Sequence, residues 1–454
     1  MIWYRNGTAF KNNIILKSPL PRGYFAHGNY DSQCTTVRDF TDKQEESLSF
    51  CEDETFWELH DSTGKIVERP VIVSCDPGRK AWNTVMGPLR DPNPHGALWL
   101  YVPSLPKNKQ HIISSSVETN KPHRITMKNY PPNHDFHPLG VEIWPSHAGN
   151  TSNVYVVNHA RKRTVIEQFI IDPSNPTEIV HVRTISHPNF FSPNALALTS
   201  PDSFYVTNDH LMTRRLPIVG HILPLIESLL ALPLAYVSHV TLNPPSASTT
   251  NTDAIAKHTF VKIFVPFPNG IAVSASGTEV VIAYTTLAQV SFYERDPSTN
   301  ELTRLKYSVP LPFSVDNINY SPSLTNKGQQ DVIISGHPNF PSLAAVAANK
   351  TGSSAGSWVV AIVPKDEVDA NSSEAKFDQE APVSTNTKVS KDGNNWTLKT
   401  LFQSDGVEES GGFGTSTNGL RDADSGALYV SGLYAKGGML VCKAEAERDE
   451  IEIY

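Results

Sequence analysis

Long apolar runs are what this chain most plainly lacks. The longest candidate, Leu216 to Val240, is broken by Pro217, His221, Pro224, Glu227 and Pro233. A membrane-spanning helix needs about twenty predominantly apolar residues, so this segment is expected to stay outside the bilayer core. The opening residues, MIWYRNGTAFKNNIILKSPLPRG, hold no charged segment followed by an apolar stretch, and no signal peptide is visible. Basic blocks are missing too: 38 Lys and Arg stand against 46 Asp and Glu, a net charge of −8, and nucleic acid is not an expected partner. H-E-x-x-H and C-x-x-C are absent, which argues against zinc. Amphipathic helical patterns are scarce. With 39% hydrophobic and 19% charged residues the chain is nonetheless well able to build a core, which excludes a disordered protein.

Cysteine is sparse, with four residues in 454. Cys34 lies before the first repeat described below and Cys442 lies in the last apolar segment, so a bond between them would tie the chain ends together. Cys51 and Cys75 flank one hairpin-like segment and could form a second bridge. Four reduced, buried thiols are the alternative. Asn-x-Ser/Thr sequons at Asn6, Asn150, Asn319, Asn349, Asn371 and Asn395 permit N-glycosylation and, with cysteine pairing, suit the secretory pathway or the extracellular space.

What the chain has in plenty is one recurring pattern: a short apolar segment, a turn rich in Gly, Pro, Asp or Ser, then a β-branched or aromatic run. It recurs at 53–76, 138–160, 193–210, 268–286, 315–339 and 413–434. Further strand-like runs, such as TVIEQFIID and QVSFYERD, lie between the copies. Six copies with room for about four strands each predict an all-β fold, a six-bladed β-propeller over residues 31–445. Residues 1–30 form an N-terminal extension and 446–454 a C-terminal tail. A helical segment is expected at 211–240, inserted over one face as a lid, a membrane-surface helix or a dimer contact. A polar, partly flexible loop insert is expected at 350–400.

In such a ring the heads of the inner strands converge on a central tunnel. The residues there are Glu52 or Asp53, Leu139, Asn194, Asn269 and the adjacent pair Asp316 and Asn317. Carboxylates and amide oxygens gathered at one point suit a hard cation, since Ca²⁺ takes six to eight oxygen ligands. Each Asn alone could equally make an Asx-turn. The register of the repeats offers no Ser–His–Asp arrangement.

The run VYVVNHARKRTVIEQF, followed by SPNALAL, SFYVTNDH, FPNGIAVS, SVDNI and GHPNF, resembles the serum paraoxonase/arylesterase family in order and spacing over about residues 30–445. The resemblance implies a six-bladed propeller with a catalytic and a structural calcium in the tunnel, a disulfide joining the chain ends (here Cys34 and Cys442), and hydrolysis of lactones and aryl esters. Carried over, the catalytic calcium would be held by Glu52, Asn194, Asn269, Asp316 and Asn317. The structural calcium would use Asp53 and a backbone carbonyl near Val141, but the family's third ligand, an Asp, is here Ala195. Of the family's two active-site histidines one is His159, whereas the other falls at Leu139. His137, two residues earlier, could substitute, or could be a surface histidine in an ordinary loop. An acidic ligand, Glu52 or Asp316, would then orient or deprotonate the water with indirect help from His159, while His210 and His337 shape the tunnel. The reading is a calcium-dependent hydrolase of a small lactone or ester. Its rivals are a non-catalytic calcium-stabilised propeller acting in protein assembly or chaperoning, favoured by Leu139 and Ala195, and a hydrolase or synthase of a specialised metabolite.

Overall fold

A computed structural model describes residues 20–26, 34–39, 48–93, 95–105, 112–113, 117–245, 254–324, 326–364 and 396–443, together with 7 and 11–15. The C-terminal tail from 446, residues 365–395 of the expected loop insert, and the sequons at Asn6, Asn371 and Asn395 lie outside the described residues.

The protein is mostly β, with six sheets of four or five strands, largely antiparallel, and one small three-stranded sheet. Each large sheet opens with a leading strand: β1 (Cys51–Phe56), β2 (Pro138–Ile143), β3 (Pro193–Ser200), β4 (Pro268–Val273), β5 (Ser314–Pro322) and β6 (Ser416–Arg421). Each then pairs antiparallel with a second strand: Val71–Cys75, Ser152–Asn158, Ser203–Asn208, Glu279–Tyr284, Gln330–His337 and Leu428–Gly432. These second strands read as nearly continuous β-branched and aromatic runs because both faces of every sheet are covered.

The apolar core is accordingly divided between neighbouring sheets. Trp57, Ile72, Leu98 and Phe169 fill the space between the first two. Phe292, Phe313, Val332 and Trp358 join the fourth to the fifth, and Val73, Trp99, Tyr429 and Val441 join the last to the first. Full burial of an Ile, Leu or Phe contributes about 1.5–3 kcal/mol, so each slab carries a large share of the stability. The leading strands pack in turn, β1 on β2 and so on through β6, and β6 packs on β1.

The chain ends meet in the last sheet. Cys34–Val37 supplies its outer strand, antiparallel to Met439–Cys442 with Cys34 opposite Cys442, and a disulfide joins the two cysteines. Cys51 and Cys75 face each other across the first hairpin and form the second disulfide. Four reduced thiols are thereby excluded.

Three expectations need correction. Residues 211–240 are not helical throughout: one turn at Val219–His221 and helix α1 (Leu223–Leu229) give way to the strand Ala235–Leu242, whose aromatic and β-branched residues complete the third sheet. A second helix, α2 (Phe340–Ala347), starts where the Asn339 side chain accepts the Ser342 N–H at 3.0 Å, an N-cap followed by proline in the first turn. The sequon at Asn319 lies half-buried within a strand of the fifth sheet, and the Asn319 amide is engaged, donating to the Asn418 side chain at 2.6 Å, which disfavours glycan attachment in the folded chain.

Candidate active site

Every leading strand carries a bulge at its head. Register with the second strand breaks between Cys51 and Asp53, Pro138 and Val141, Pro193 and Leu196, Pro268 and Ile271, Val315 and Ile318, and Ser416 and Asn418. The residues inside the breaks are Glu52, Leu139 with Gly140, Asn194 with Ala195, Asn269 with Gly270, Asp316 with Asn317, and Thr417. A bulge takes residues out of the ladder and re-aims their side chains. Glu52, Leu139, Asn194, Asn269 and Asp316 thereby line one cavity of about 100 Å³. Asn317 is not in its wall. Its Nδ2 donates to the Glu52 carbonyl at 3.3 Å and to Glu52 Oε1 at 3.2 Å, bracing the carboxylate.

The opposite end of each hairpin adds a second set of lining residues. Asp76, His159, Asp209, Thr285 and Leu433 directly follow the second strands, and His337 ends one. Three of them hold the heads of their own sheets. Asn194 Nδ2 donates to Asp209 Oδ2 at 3.2 Å, Asn269 Nδ2 donates to Thr285 Oγ1 at 3.2 Å, and His337 Nε2 donates to Asp316 Oδ2 at 2.8 Å. With each amide nitrogen anchored, each amide oxygen is turned to the other side. Asn194 Oδ1, Asn269 Oδ1 and Glu52 Oε2 are all buried without a hydrogen-bond partner, while Asp209 Oδ1 faces His210 Nδ1 at 3.2 Å.

An unsatisfied buried acceptor costs about 1–3 kcal/mol, so three of them around one cavity call for a donor or a cation. Burial, followed by the nearby charges of Asp53 and Asp316, holds the Glu52 carboxyl well above the usual carboxylate range. Two carboxylates and two or three amides form an all-oxygen donor set of the kind a hard cation takes. Among the described residues no group of three or more His, Cys, Asp or Glu is set to hold a metal. The donor set here relies on amides as well, whose buried oxygens lack hydrogen-bond partners.

The second cation position fits poorly. Asp53 Oδ1 accepts from the Glu54 N–H at 2.9 Å and from Asn418 Nδ2 at 2.5 Å, and Oδ2 accepts from the Val141 N–H at 2.8 Å. Its oxygens are already satisfied, and Ala195 adds none. Burial raises the Asp53 carboxyl to about 7, against those three hydrogen bonds.

The histidines separate by partner. His159 is buried in the cavity wall with both nitrogens engaged: Nε2 donates to the Pro193 carbonyl at 2.8 Å, so Nδ1 accepts from Thr84 Oγ1 at 2.7 Å. Burial pushes its pKa down to about 4. His210 is outside the wall, bonded through Nε2 to Ser228 of α1 at 2.7 Å and packed on Phe267, which does line the cavity. His137 is not a surface residue: it is 2% exposed and lines the cavity. A G-x-S-x-G spacing at Gly352, Ser354 and Gly356 lies in the connection from α2 to the strand Ser357–Pro364, and Ser354 is not in the wall. The remaining wall is mainly apolar, with Trp82, Val85, Met86, Phe267, Phe340, Leu343 and Leu433. Asp76, Arg79 and Asp209 were missed in the sequence. Their signal was positional, a polar residue just after the second strand of a repeat (SCD, TND) or three beyond it.

The family model described as Arylesterase matches residues 97–393. The chain belongs to the arylesterase family. Human serum paraoxonase/lactonase 3 is 29% identical over 204 residues, 45% of this chain and 50% of that protein. Bovine serum paraoxonase/arylesterase 2 is 26% identical over 204 residues, again 45% and 50%. The chain thus spans about half the length of the curated relatives it matches. A periplasmic gluconolactonase from Pseudomonas aeruginosa superposes with a TM-score of 0.32 and 11% identity over 68% of this chain and 82% of that one, too slight to add to the assignment. Leu139, where the resemblance calls for a histidine, stands in the cavity wall.

Proposed function

We propose that the protein hydrolyses lactones or aryl esters in this cavity and that its six large sheets are the blades of a propeller around it. The packing of β6 on β1 and the core slab shared by the last and first sheets support the propeller reading. The observation that carries the functional reading is the set of unpartnered buried oxygens on Glu52, Asn194 and Asn269, at the positions where family resemblance puts a calcium ion. Glu52, Asn194, Asn269 and Asp316 would hold that ion, with Asn317 bracing Glu52 from outside the wall; the ion when bound supplies Lewis-acid polarisation of a substrate carbonyl. Phe267, Phe340, Leu343 and Leu433 supply an apolar wall for the non-reacting part of a neutral ester and exclude water from it. Glu52 and Asp316 accept hydrogen bonds from the attacking water and orient it. His159, neutral and fully bonded, fixes the wall beside them.

Two disulfides suit an oxidising compartment, which favours the secretory pathway or the extracellular space. Among the described residues no helix is long and apolar enough to cross a membrane. Contact with a membrane surface through α1 and its flanks is supported by an apolar outer face. A calcium-stabilised scaffold without turnover is the rival reading, and Leu139 favours it.

The deciding experiment is hydrolysis of a panel of lactones and phenyl acetate by calcium-loaded protein. Turnover of at least one member is expected, with Asp316→Ala lowering kcat by about 10²-fold or more. No turnover of any member contradicts the hydrolase reading.

A further inference from the structure

Hydrolysis needs a proton acceptor for the attacking water, and Leu139 cannot serve. His137 lies two residues away, before Pro138 at the start of β2, in the cavity wall. Its Nδ1 is 2.9 Å from Asp76 Oδ2. A carboxylate oxygen only accepts, so Nδ1 carries the proton, and in the neutral imidazole Nε2 holds the lone pair. Asp76 is itself fixed, its Oδ1 accepting from the Gly78 N–H at 2.8 Å in the turn after the second strand of the first sheet. The His137 main chain is pinned at both ends. Its N–H donates to Asn158 Oδ1 at 2.8 Å, and its carbonyl accepts from the His159 N–H at 3.0 Å. Nε2 is buried without a hydrogen-bond partner: Asp135 Oδ2 lies 3.3 Å away but is not aligned to bond.

We propose that His137 is the general base of the reaction, with Asp76 as its positioning residue. The inference rests on the hydrolase reading above. Nε2 takes a proton from water as the water oxygen bonds to the carbonyl carbon. When the bond from that carbon to the leaving oxygen breaks, Nε2–H returns the proton to it, so ester and water give acid and alcohol with no other reactant. Asp76 keeps the imidazole in the Nδ1–H form, and Asp135 meets the charge that appears on Nε2 in between.

Other charged or titratable groups around His137 are His95, with ring centroids 6.0 Å apart, and Arg79, whose guanidinium donates to the Pro138 carbonyl at 2.8 Å. Trp82 packs against the imidazole at 5.7 Å. Burial opposes protonation of His137, but Asp135 and Asp76 outweigh it and hold the pKa above its ordinary value. The second imidazole in the wall with a free nitrogen is His337. It spends Nε2 on Asp316, leaving only Nδ1, the nitrogen beside its own main chain.

The test is the pH profile of kcat for the wild type, His137→Gln, Asp76→Asn and His337→Gln, with the ¹⁵N imidazole spectrum of His137 recorded beside it. In the wild type, kcat falls on the acid side through a pKa above that of free histidine. His137→Gln removes that limb and lowers kcat by about 10²–10⁴-fold. Asp76→Asn retains a limb, moved to lower pH, with reduced kcat. The spectrum shows the Nδ1–H tautomer above the limb and a pKa that drops in Asp76→Asn. His137→Gln with an unchanged limb overturns the proposal, as does loss of the limb in His337→Gln alone or an Nε2–H tautomer in the spectrum. Should the wild type turn over no substrate, the hydrolase reading fails and not the dyad. The tautomer and the Asp76-dependent pKa are still read by NMR and still decide whether the pair is built as described.

Discussion

Two glycines set how closely the leading strands approach at the cavity. A Cβ on Gly270 would meet Asn317 Cα at 2.6 Å and the Asp316 carbonyl at 2.7 Å, and one on Gly140 would run into the Asn194 carbonyl. Each follows a bulge-head residue, so the next strand can press its own bulge against the gap. Gly270→Ala is therefore expected to push the Asp316 and Asn317 backbone outward, costing about 1–3 kcal/mol in a packed interior. Thermal denaturation and the calcium affinity of the variant check this, with both expected to fall. An unchanged midpoint and affinity would show that the 316–317 backbone yields freely. Legibility at this scale was uneven. Asn194, Asn269 and Asp316 announced themselves by recurring at strand heads, a pattern readable along one repeat. Their braces Asp209, Thr285 and His337 come from the far end of the hairpin and could be found only by aligning the repeats at both ends. Leu139 was legible as a substitution, but the role of His137 needed Asp76, which is 61 residues distant in the chain.

At the scale of single elements, α1 is turned inside out. Its buried residues include Glu227, whose two carboxylate oxygens accept from the Leu211 and Met212 N–H groups at 3.0 and 2.7 Å, and Ser228, whose Oγ lies 2.7 Å from His210 Nε2. Its outward side and the preceding turn expose Ile218 at 91% and Ile222 at 61%, with Leu225, Ile226, Leu229 and Leu230 beside them. A helix that buries polar groups and presents apolar ones to solvent fits an apolar surface better than water. Sedimentation with phospholipid vesicles should carry the protein down, and Ile218→Asp with Ile222→Asp should release it without loss of the β fold. Equal partition of wild type and variant would remove the membrane-surface role. The apolar pattern at 211–230 was visible in the sequence. What was not visible is where it ends, because Leu234, Ala235 and Val237 suit a strand as well as a helix, and pairing with the strand Ser203–Asn208 decides between them. Helix α2 escaped notice because its eight residues are too few to show a period, although Asn339 and Pro341 mark its start.

For the whole molecule, the six-fold repeat was the most legible feature, since six copies of one hairpin pattern survive local irregularity. The bulges that turn the repeat into a site were not legible, because an extra residue in a ladder leaves no mark until its partner strand is known. The ends of the chain are secured by the strand Cys34–Val37 and the disulfide across 408 residues, which restricts the opening of the last sheet from the first. Four separate sheets send oxygens into the cavity, so an ion held there would link them directly. The most direct test of the account is a calcium titration of chelator-stripped protein, following the heat of binding and lactone turnover in the same series. The account predicts one saturable site, turnover that rises with its occupancy, and loss of both in Asp316→Ala. Full turnover in excess chelator would contradict it.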